Sequence, residues 1–215
     1  FQEMYNQDPV LNCRSYLTRY DQPVLSSTQT KLLQAWMEDE GQSGAIFTNR
    51  PSRPPGDLSG TPEAEIGASL VGLESLPLIG YGQMAWLSKT RGMPIDQCRK
   101  PGAPHTLAAM LSALGNSQHA ALEAAASLMQ GKGERQPWQA VAGMHIYTFE
   151  DTPAGLQSIL SARDHLLELG IKIKVKAVGI AKDPQKQQAM ADLGAHLYPD
   201  LPAALEDHLS LLSSL

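Results

Sequence analysis

The sequence predicts an α/β domain in which helices cover both faces of a parallel sheet. Short apolar runs typical of buried parallel strands alternate with segments that space apolar residues helically, and Gly or Pro marks the junctions. Such alternation with short loops is the pattern of a doubly covered parallel sheet. It is clearest near the C-terminus, with predicted strands at 144–149, 173–180 and 196–198, helices at 153–169 and 184–193, and a last helix from Pro202.

The same alternation, less regular, extends toward the N-terminus. The predicted helices are 28–40, 61–75, one from Met84 that ends near Gly92, 104–114 and 118–129; the predicted strands are 44–48 and 76–81. The Pro-, Gly- and Ser-rich run 51–60 and the polar run 131–137 predict loops. Residues 1–27 have no clear periodicity and are interpreted as the remnant of a helical cap or a lead-in, with 28–215 forming the core domain.

Composition favours small-molecule chemistry. The 215 residues are 42% hydrophobic and 18% charged, with a net charge of -5 and no basic stripe, which argues against a nucleic-acid or anionic-membrane partner. No run approaches the length of a membrane span, and Phe1–Asn6 lacks the features of a signal peptide. Cys13 and Cys98 form no CxxC pair, so neither zinc nor a disulfide framework is indicated. We expect a cytoplasmic protein, whose oligomeric state the sequence leaves open.

The most informative local pattern is a predicted strand that ends in two adjacent carboxylates, Glu150 and Asp151, just before a helix that begins at Pro153. This places both acids at the carboxyl edge of the sheet, where open α/β proteins bind ligands. Mg²⁺ suits such a pair, because it takes one or two carboxylates together with phosphate oxygens and water. Alternatively, both acids only cap the helix and favour its positive N-terminal end. Spacing alone leaves both interpretations open.

Residues 149–156 (FEDTPAGL) resemble the fourth motif of haloacid-dehalogenase-like (HAD) phosphatases, in which an acidic pair holds Mg²⁺. Two further segments follow the order of that family. Residues 46–51 (IFTNRP) resemble the second motif, whose Thr or Ser bonds the transferring phosphoryl group, and residues 99–104 (RKPGAP) resemble the third, whose lysine neutralises charge on the nucleophile and the phosphate. The resemblance covers roughly residues 30–215.

The resemblance implies a HAD-like Rossmannoid three-layer fold and Mg²⁺-dependent hydrolysis of a small phosphorylated substrate, a phosphate monoester, through an aspartyl-phosphate. It implies catalytic roles for Thr48 and Lys100, phosphate binding by these two and Asn49, and metal ligation by Asp151 and Glu150. Taken singly, Thr48 is more typical of an ordinary strand end and Lys100 of a solvated loop, and it is the joint order of the three motifs that favours the functional roles.

The nucleophile of that family has no counterpart in the sequence. Family members use an aspartate in a DxDGT-like motif after an N-terminal strand, and no apolar strand here ends in DxD. The acids of 38–40 lie in a predicted helix tail, and Asp21 stands alone. Two interpretations stay open: the nucleophile segment lies upstream of Phe1 on a longer or separate chain, or the domain is a non-catalytic module that binds a phosphate ligand or a protein.

Gly80, Gly82 and Ala85 satisfy the G-x-G-x-x-A fingerprint of dinucleotide-binding folds. The preceding strand contains Pro77, and the acid expected about 20 residues further on is absent, since no Asp or Glu lies within 97–122. Nicotinamide binding is therefore disfavoured. Three histidines lie in predicted helices without ligand-spaced partners, which predicts structural roles for His105, His119 and His165.

Overall fold

A computed structural model describes residues 16–39, 41–56 and 60–212 and has the predicted α/β character. Its strands form two parallel sheets. One pairs β1 (Ile46–Phe47) with β2 (Leu78–Ile79), and the other has the order β3 (His145–Glu150), β4 (Lys174–Ile180), β5 (His196–Tyr198). The single sheet expected from the sequence is therefore present as two sheets in the described residues, because β1 and β3 form no ladder with each other.

Helices connect and cover these strands. In chain order they are α1 (Tyr16–Tyr20), α2 (Ser27–Glu38), α3 (Glu63–Leu70), α4 (Tyr81–Arg91), α5 (Ile95–Cys98), α6 (Ala103–Ala113), α7 (Gln118–Met129), α8 (Pro153–Glu168), α9 (Pro184–Ala191) and α10 (Leu201–Leu212). A 3-10 helix, Gln136–Val141, precedes β3.

Local sequence explains where several helices begin. Ser26 accepts a hydrogen bond from the Gln29 backbone, and the Gln29 side chain accepts one from the Ser26 backbone, which is a capping box at the start of α2. Thr152 caps α8 and Asp183 caps α9, each followed by a proline in the first turn. These signals are readable from the sequence, and the predicted starts of these three helices lie within one residue of the observed ones.

Other boundaries differ from prediction. Helix α3 ends at Leu70 instead of near residue 75, because Gly72 adopts a left-handed φ of 70° and the Leu73 amide turns back to the Ala68 carbonyl. Strands β1 and β2 have two residues each and are shorter than predicted. Helices α1 and α5 were not predicted, because five and four residues are too few to show a helical period.

Helix α6 lies at the centre of the core. Residues 103–112 are all buried, and α6 packs on β1, β2, α7 and α8. Helix α8 covers one face of the three-stranded sheet. Helix α10 covers the other face, where the His208 ring lies 5.5–5.8 Å from the ring centroids of Tyr147, Phe149 and Tyr198. The three-stranded sheet thus lies between two helical layers, while α6 spans from this region to the two-stranded sheet.

Some of the residues discussed above lie outside the described parts of the chain. Cys13 and most of the proposed lead-in, residues 1–15, lie outside the described residues, as do residues 57–59 of the predicted loop. Among the residues that are described, no helix has the length and apolarity needed to cross a bilayer.

Candidate functional site

The candidate site is organised around the ammonium group of Lys100. Its Nζ lies 2.5 Å from Glu150 Oε1, at the end of β3, and 4.1 Å from the ring centroid of Phe47, at the end of β1. The side chains of this ion pair are only 9% and 4% exposed, respectively. One buried cation therefore connects the carboxyl ends of two strands that belong to different sheets.

Hydrogen bonds from α8 hold the backbone that presents Lys100. The peptide bond between Lys100 and Pro101 is cis, and α6 begins two residues after Pro101. The buried Ser158 hydroxyl of α8 donates to the Gly102 carbonyl at 2.7 Å and lies 2.6 Å from the Thr106 hydroxyl of α6. The segment that follows Lys100 is thus hydrogen-bonded to α8, the helix that follows the acidic pair.

Glu150 lies in a closely packed recess at the start of α8. A Cβ on Gly155 would overlap the Glu150 carboxylate, so only glycine leaves room for this side chain. Burial raises the pKa of the Glu150 carboxyl, and the charge and hydrogen bond of Lys100 lower it again in part. The carboxylate therefore depends on Lys100 for its charge compensation, which a solvated helix cap would not need.

Asp151 has a different environment from its neighbour. It follows the last residue of β3 and is exposed, whereas Glu150 is 5% exposed. The cap of α8 is Thr152, whose hydroxyl accepts the Gly155 amide, so neither acid serves as the N-cap. Of the two predicted metal ligands, Asp151 is exposed to solvent, and Glu150 accepts a hydrogen bond from the Lys100 ammonium with one carboxylate oxygen.

The residues available for a divalent cation are few. Within the described part of the chain, no group of three or more His, Cys, Asp or Glu side chains could hold a metal. Mg²⁺ requires less than this, because one or two carboxylates suffice when phosphate oxygens and water complete its octahedron. The exposed Asp151 at a strand end fits such a partial site, with Glu150 beside it.

Thr48 follows β1 directly, next to the Phe47 ring that lies under Lys100. Its backbone amide bonds the Ile79 carbonyl, and its hydroxyl accepts the Arg50 amide at 3.1 Å. Asn49 is exposed on the turn that follows. The structure therefore brings Lys100 to Phe47 and Glu150, the residues that immediately precede Thr48 and Asp151.

His105 is a buried neighbour of this site that motif spacing did not single out. Its ring is 0% exposed, and Nε2–H donates to the Ile79 carbonyl at 2.9 Å. The other ring nitrogen, Nδ1, is buried without a hydrogen-bond partner. Burial, together with the nearby positive charge of Lys100, lowers the pKa of His105 to about 4. A neutral histidine thus lies beneath the end of β1, and its position in a helix of mostly apolar residues was the signal that the sequence offered.

The glycines of the dinucleotide-like fingerprint have a structural use here. The buried Ser52 hydroxyl donates to Gln83 Oε1 at 2.5 Å and accepts the Gly82 amide at 2.9 Å. A Cβ on Gly82 would overlap the Ser52 backbone, and one on Gly80 would crowd the Ser52 side chain. Both glycines therefore allow the loop after β1 to pack on the start of α4, which accounts for the pattern without a nucleotide.

Comparisons of this chain with protein-family models, with curated proteins and with solved structures find no match. The resemblance to HAD phosphatases therefore stays a prediction that rests on the residues of this chain.

Proposed function

We propose that the carboxyl edge formed by Thr48, Lys100 and Asp151 binds a phosphate monoester together with Mg²⁺, as the active-site edge of a HAD-like phosphatase does. The observation that carries the proposal is the buried Lys100–Glu150 pair, which joins the two strand ends that precede Thr48 and Asp151.

A structural role alone explains this ion pair poorly. Burying two charges costs several kcal/mol per ion, and an apolar pair of similar volume often stabilises a fold as well or better. A buried cation at the edge where parallel α/β sheets bind ligands has a use beyond packing, since it supplies fixed positive charge to an anion. Lys100 is the candidate group for the phosphate, and Glu150 keeps its ammonium in place.

The two acids then have different roles. Glu150 acts as the counter-ion that positions Lys100, and Asp151, exposed beside it, is the main protein ligand for Mg²⁺. When bound, Mg²⁺ would neutralise negative charge on the phosphate oxygens. The Thr48 hydroxyl and the exposed Asn49 amide are the remaining donors for those oxygens. We expect Asp151→Asn to weaken Mg²⁺ binding more than Glu150→Gln.

Calorimetric titration of the 215-residue chain with inorganic phosphate, with and without Mg²⁺, tests the binding step. The decisive variant is Lys100→Met combined with Glu150→Gln, which removes the positive charge without leaving a buried carboxylate unpaired. A lost charge-assisted hydrogen bond is worth about 1.5–3 kcal/mol, so phosphate affinity should fall roughly 10- to 100-fold. Lys89→Met, at an exposed lysine of α4, is the matched control. Equal affinities in these two variants would contradict the proposal.

A second titration isolates the metal. Asp151→Asn should abolish the increase in phosphate affinity that Mg²⁺ causes, and Asp164→Asn, at an exposed acid of α8, should leave that increase intact. If Mg²⁺ acts equally on both variants, Asp151 is not its ligand. Circular dichroism on each protein verifies that the fold is retained.

Turnover separates the hydrolase from the alternative, a non-catalytic module that keeps the phosphate-binding edge. The specific observation behind this alternative is the missing aspartate, because Lys100 and a metal can polarise a phosphate ester but cannot form the covalent intermediate. We expect the 215 residues to bind phosphate and hydrolyse an aryl phosphate poorly. Robust Mg²⁺-dependent hydrolysis by this chain alone would mean that another residue is the nucleophile.

A further inference from the structure

We infer that a cavity at the amino ends of β3 and β4 binds a medium-chain carboxylate, with the alkyl chain against Leu167 and the carboxylate on Lys172 and Lys174. Each strand residue advances about 3.3 Å, so the cavity lies roughly 16 Å along β3 from the carboxyl end that carries Glu150. The inference therefore stands apart from the phosphate chemistry proposed above, and either can fail without the other.

The end of helix α8 builds one wall of the cavity. Gly170 has a left-handed φ of 73°, the Gly170 amide donates to the Leu167 carbonyl, and the Ile171 amide donates to the Leu166 carbonyl. This is a Schellman turn, in which the residue after the glycine packs back on the helix. Ile171 is accordingly only 1% exposed, whereas Leu167 is 52% exposed and leaves an apolar surface open to solvent.

Two backbone hydrogen bonds fix the remaining wall. The Gly143 amide donates to the Lys172 carbonyl at 2.7 Å, and the Lys174 amide donates to the Met144 carbonyl at 2.8 Å. Gly143 has a φ of 80°, a conformation that favours glycine. The segments before β3 and β4 are thus bonded to each other, so the cavity is formed before any ligand binds, which lowers the ordering cost of binding.

The size and lining of the cavity fit a small apolar body. Its volume is about 310 Å³, at the lower end of the range for small-molecule sites. The lining consists of aliphatic side chains, one glycine and three cationic residues with apolar stems, namely Leu167, Ile171, Ile173, Gly143, Arg163, Lys172 and Lys174. An alkyl chain therefore matches the interior.

The cations give the cavity a charge opposite to that of the chain. The chain carries a net charge of -5, yet the lining has three cationic residues and no acidic one. Arg163 pairs with Asp164 at 2.8 Å, whereas no carboxylate in the described part of the chain pairs with Lys172 or Lys174. The Lys174 ammonium lies 3.2 Å from His145 Nε2, and an ammonium has three donors, so donors remain for an anion.

These features together specify the ligand. A carboxylate has two oxygens that can each accept from one ammonium, and charged hydrogen bonds of this kind are the stronger ones. The alkyl chain then covers the exposed surface of Leu167. A membrane or an acidic peptide would present many charges over a wide area, whereas a cavity of this size suits one small molecule.

Titration of the 215-residue chain with octanoate at about pH 7, followed by amide NMR shifts, tests the site. We expect a Kd of about 1 mM, in the range for a ligand of roughly ten non-hydrogen atoms. The amides of Gly143, Leu167 and Lys172 should shift, and that of Lys100 should not. Hexanoate should bind roughly 10-fold more weakly, because it buries two fewer methylene groups. Neutral octanamide should also bind more weakly, by about 3- to 10-fold.

A double lysine variant tests the carboxylate contact. Lys172→Gln combined with Lys174→Gln removes both charges and keeps much of each stem, so octanoate affinity should fall about 3- to 10-fold while octanamide affinity stays the same. Lys182→Gln combined with Lys186→Gln is the matched control, since these two exposed lysines lie beyond the other end of β4. The control should bind octanoate like the wild type.

Two variants at Leu167 test the alkyl contact. Leu167→Asn and Leu167→Asp both remove the aliphatic side chain at an exposed position and differ in charge alone. Both should bind octanoate more weakly than the wild type, and the aspartate variant by a further factor of about five, because its carboxylate repels that of the ligand. Circular dichroism verifies that each variant keeps its helices.

Four results would overturn the inference. Shifts centred on Lys100 would place the carboxylate at the other edge of the sheet. Equal octanoate affinities in the two double lysine variants would mean that Lys172 and Lys174 do not hold the head group. No shift at about 10 mM octanoate would mean that the lysine stems only cover the apolar wall. Flotation with phosphatidylserine vesicles, without any shift caused by octanoate, would identify a membrane surface as the occupant.

Discussion

His105 should make the fold sensitive to mild acid. Its ring is fully buried, its Nε2–H donates to the Ile79 carbonyl, and its Nδ1 makes no hydrogen bond to the described residues. Protonation would also place a positive charge near Lys100. The folded state therefore favours neutral His105, and its pKa falls from 6.5 to about 4.

The sign and size of the effect follow from linkage. Because the folded pKa lies below the unfolded one, the stability contribution is fully present above about pH 6.5 and is lost as the pH falls toward 4. At about 1.4 kcal/mol per pH unit, this difference corresponds to about 3 kcal/mol. That is a large part of the 5–15 kcal/mol by which folded domains are generally stable.

Urea denaturation between about pH 7.5 and pH 4 measures this contribution through the free energy of unfolding. His105→Gln is the test variant, because its amide can still donate to the Ile79 carbonyl and does not titrate. Between these two pH values, the free energy of unfolding should fall by about 3 kcal/mol less in this variant than in the wild type. His119→Gln, at an exposed histidine, should follow the wild type. If the His105→Gln and wild-type curves run parallel, the buried neutral state of His105 is refuted.

Three other substitutions have expected outcomes that thermal or chemical denaturation and thiol labelling can check. Gly155→Ala should lower the free energy of unfolding by about 1–3 kcal/mol, because the new Cβ overlaps the Glu150 carboxylate. In a Glu150→Ala background the same substitution should be neutral or stabilising, because the overlap is gone and alanine has the higher helix propensity. Ser52→Ala should cost about 1–3 kcal/mol, since it leaves the Gly82 amide without its acceptor. In a Cys13→Ser variant, Cys98 should react with a thiol reagent only after unfolding, because burial raises its pKa to about 11; rapid labelling of the native protein would contradict this.

The C-terminal half of the fold was predictable because its signals are local. Strand β3, helix α8 and strand β4 begin and end within one residue of the predicted bounds, where Thr152 and Pro153 mark the start of α8. The two-stranded sheet was harder to predict. The apolar runs around Phe47 and Ile79 are longer than the two-residue ladders that form, because ladder length depends on neighbouring strands and not on the run itself.

The candidate site was predictable in its residue types and not in its contacts. Strand-end position identified Thr48 and Asp151, and a short motif identified Lys100. Nothing in the spacing of Lys100 and Glu150, which are 50 residues apart, indicates that they form a buried ion pair. The pairing arises from the packing of α6 on α8, a tertiary contact that no local pattern encodes.

The division of roles between the two adjacent acids follows from where β3 ends. Side chains alternate across a strand, so Glu150, the last residue of β3, shares the face of Thr148 and points toward the helical layer of α8. Asp151 lies past the strand and is released from that alternation into solvent. A shift of the strand end by one residue would exchange their environments. The position of the strand end therefore decides which of the two carboxylates is the buried counter-ion of Lys100 and which is the exposed candidate ligand for a cation.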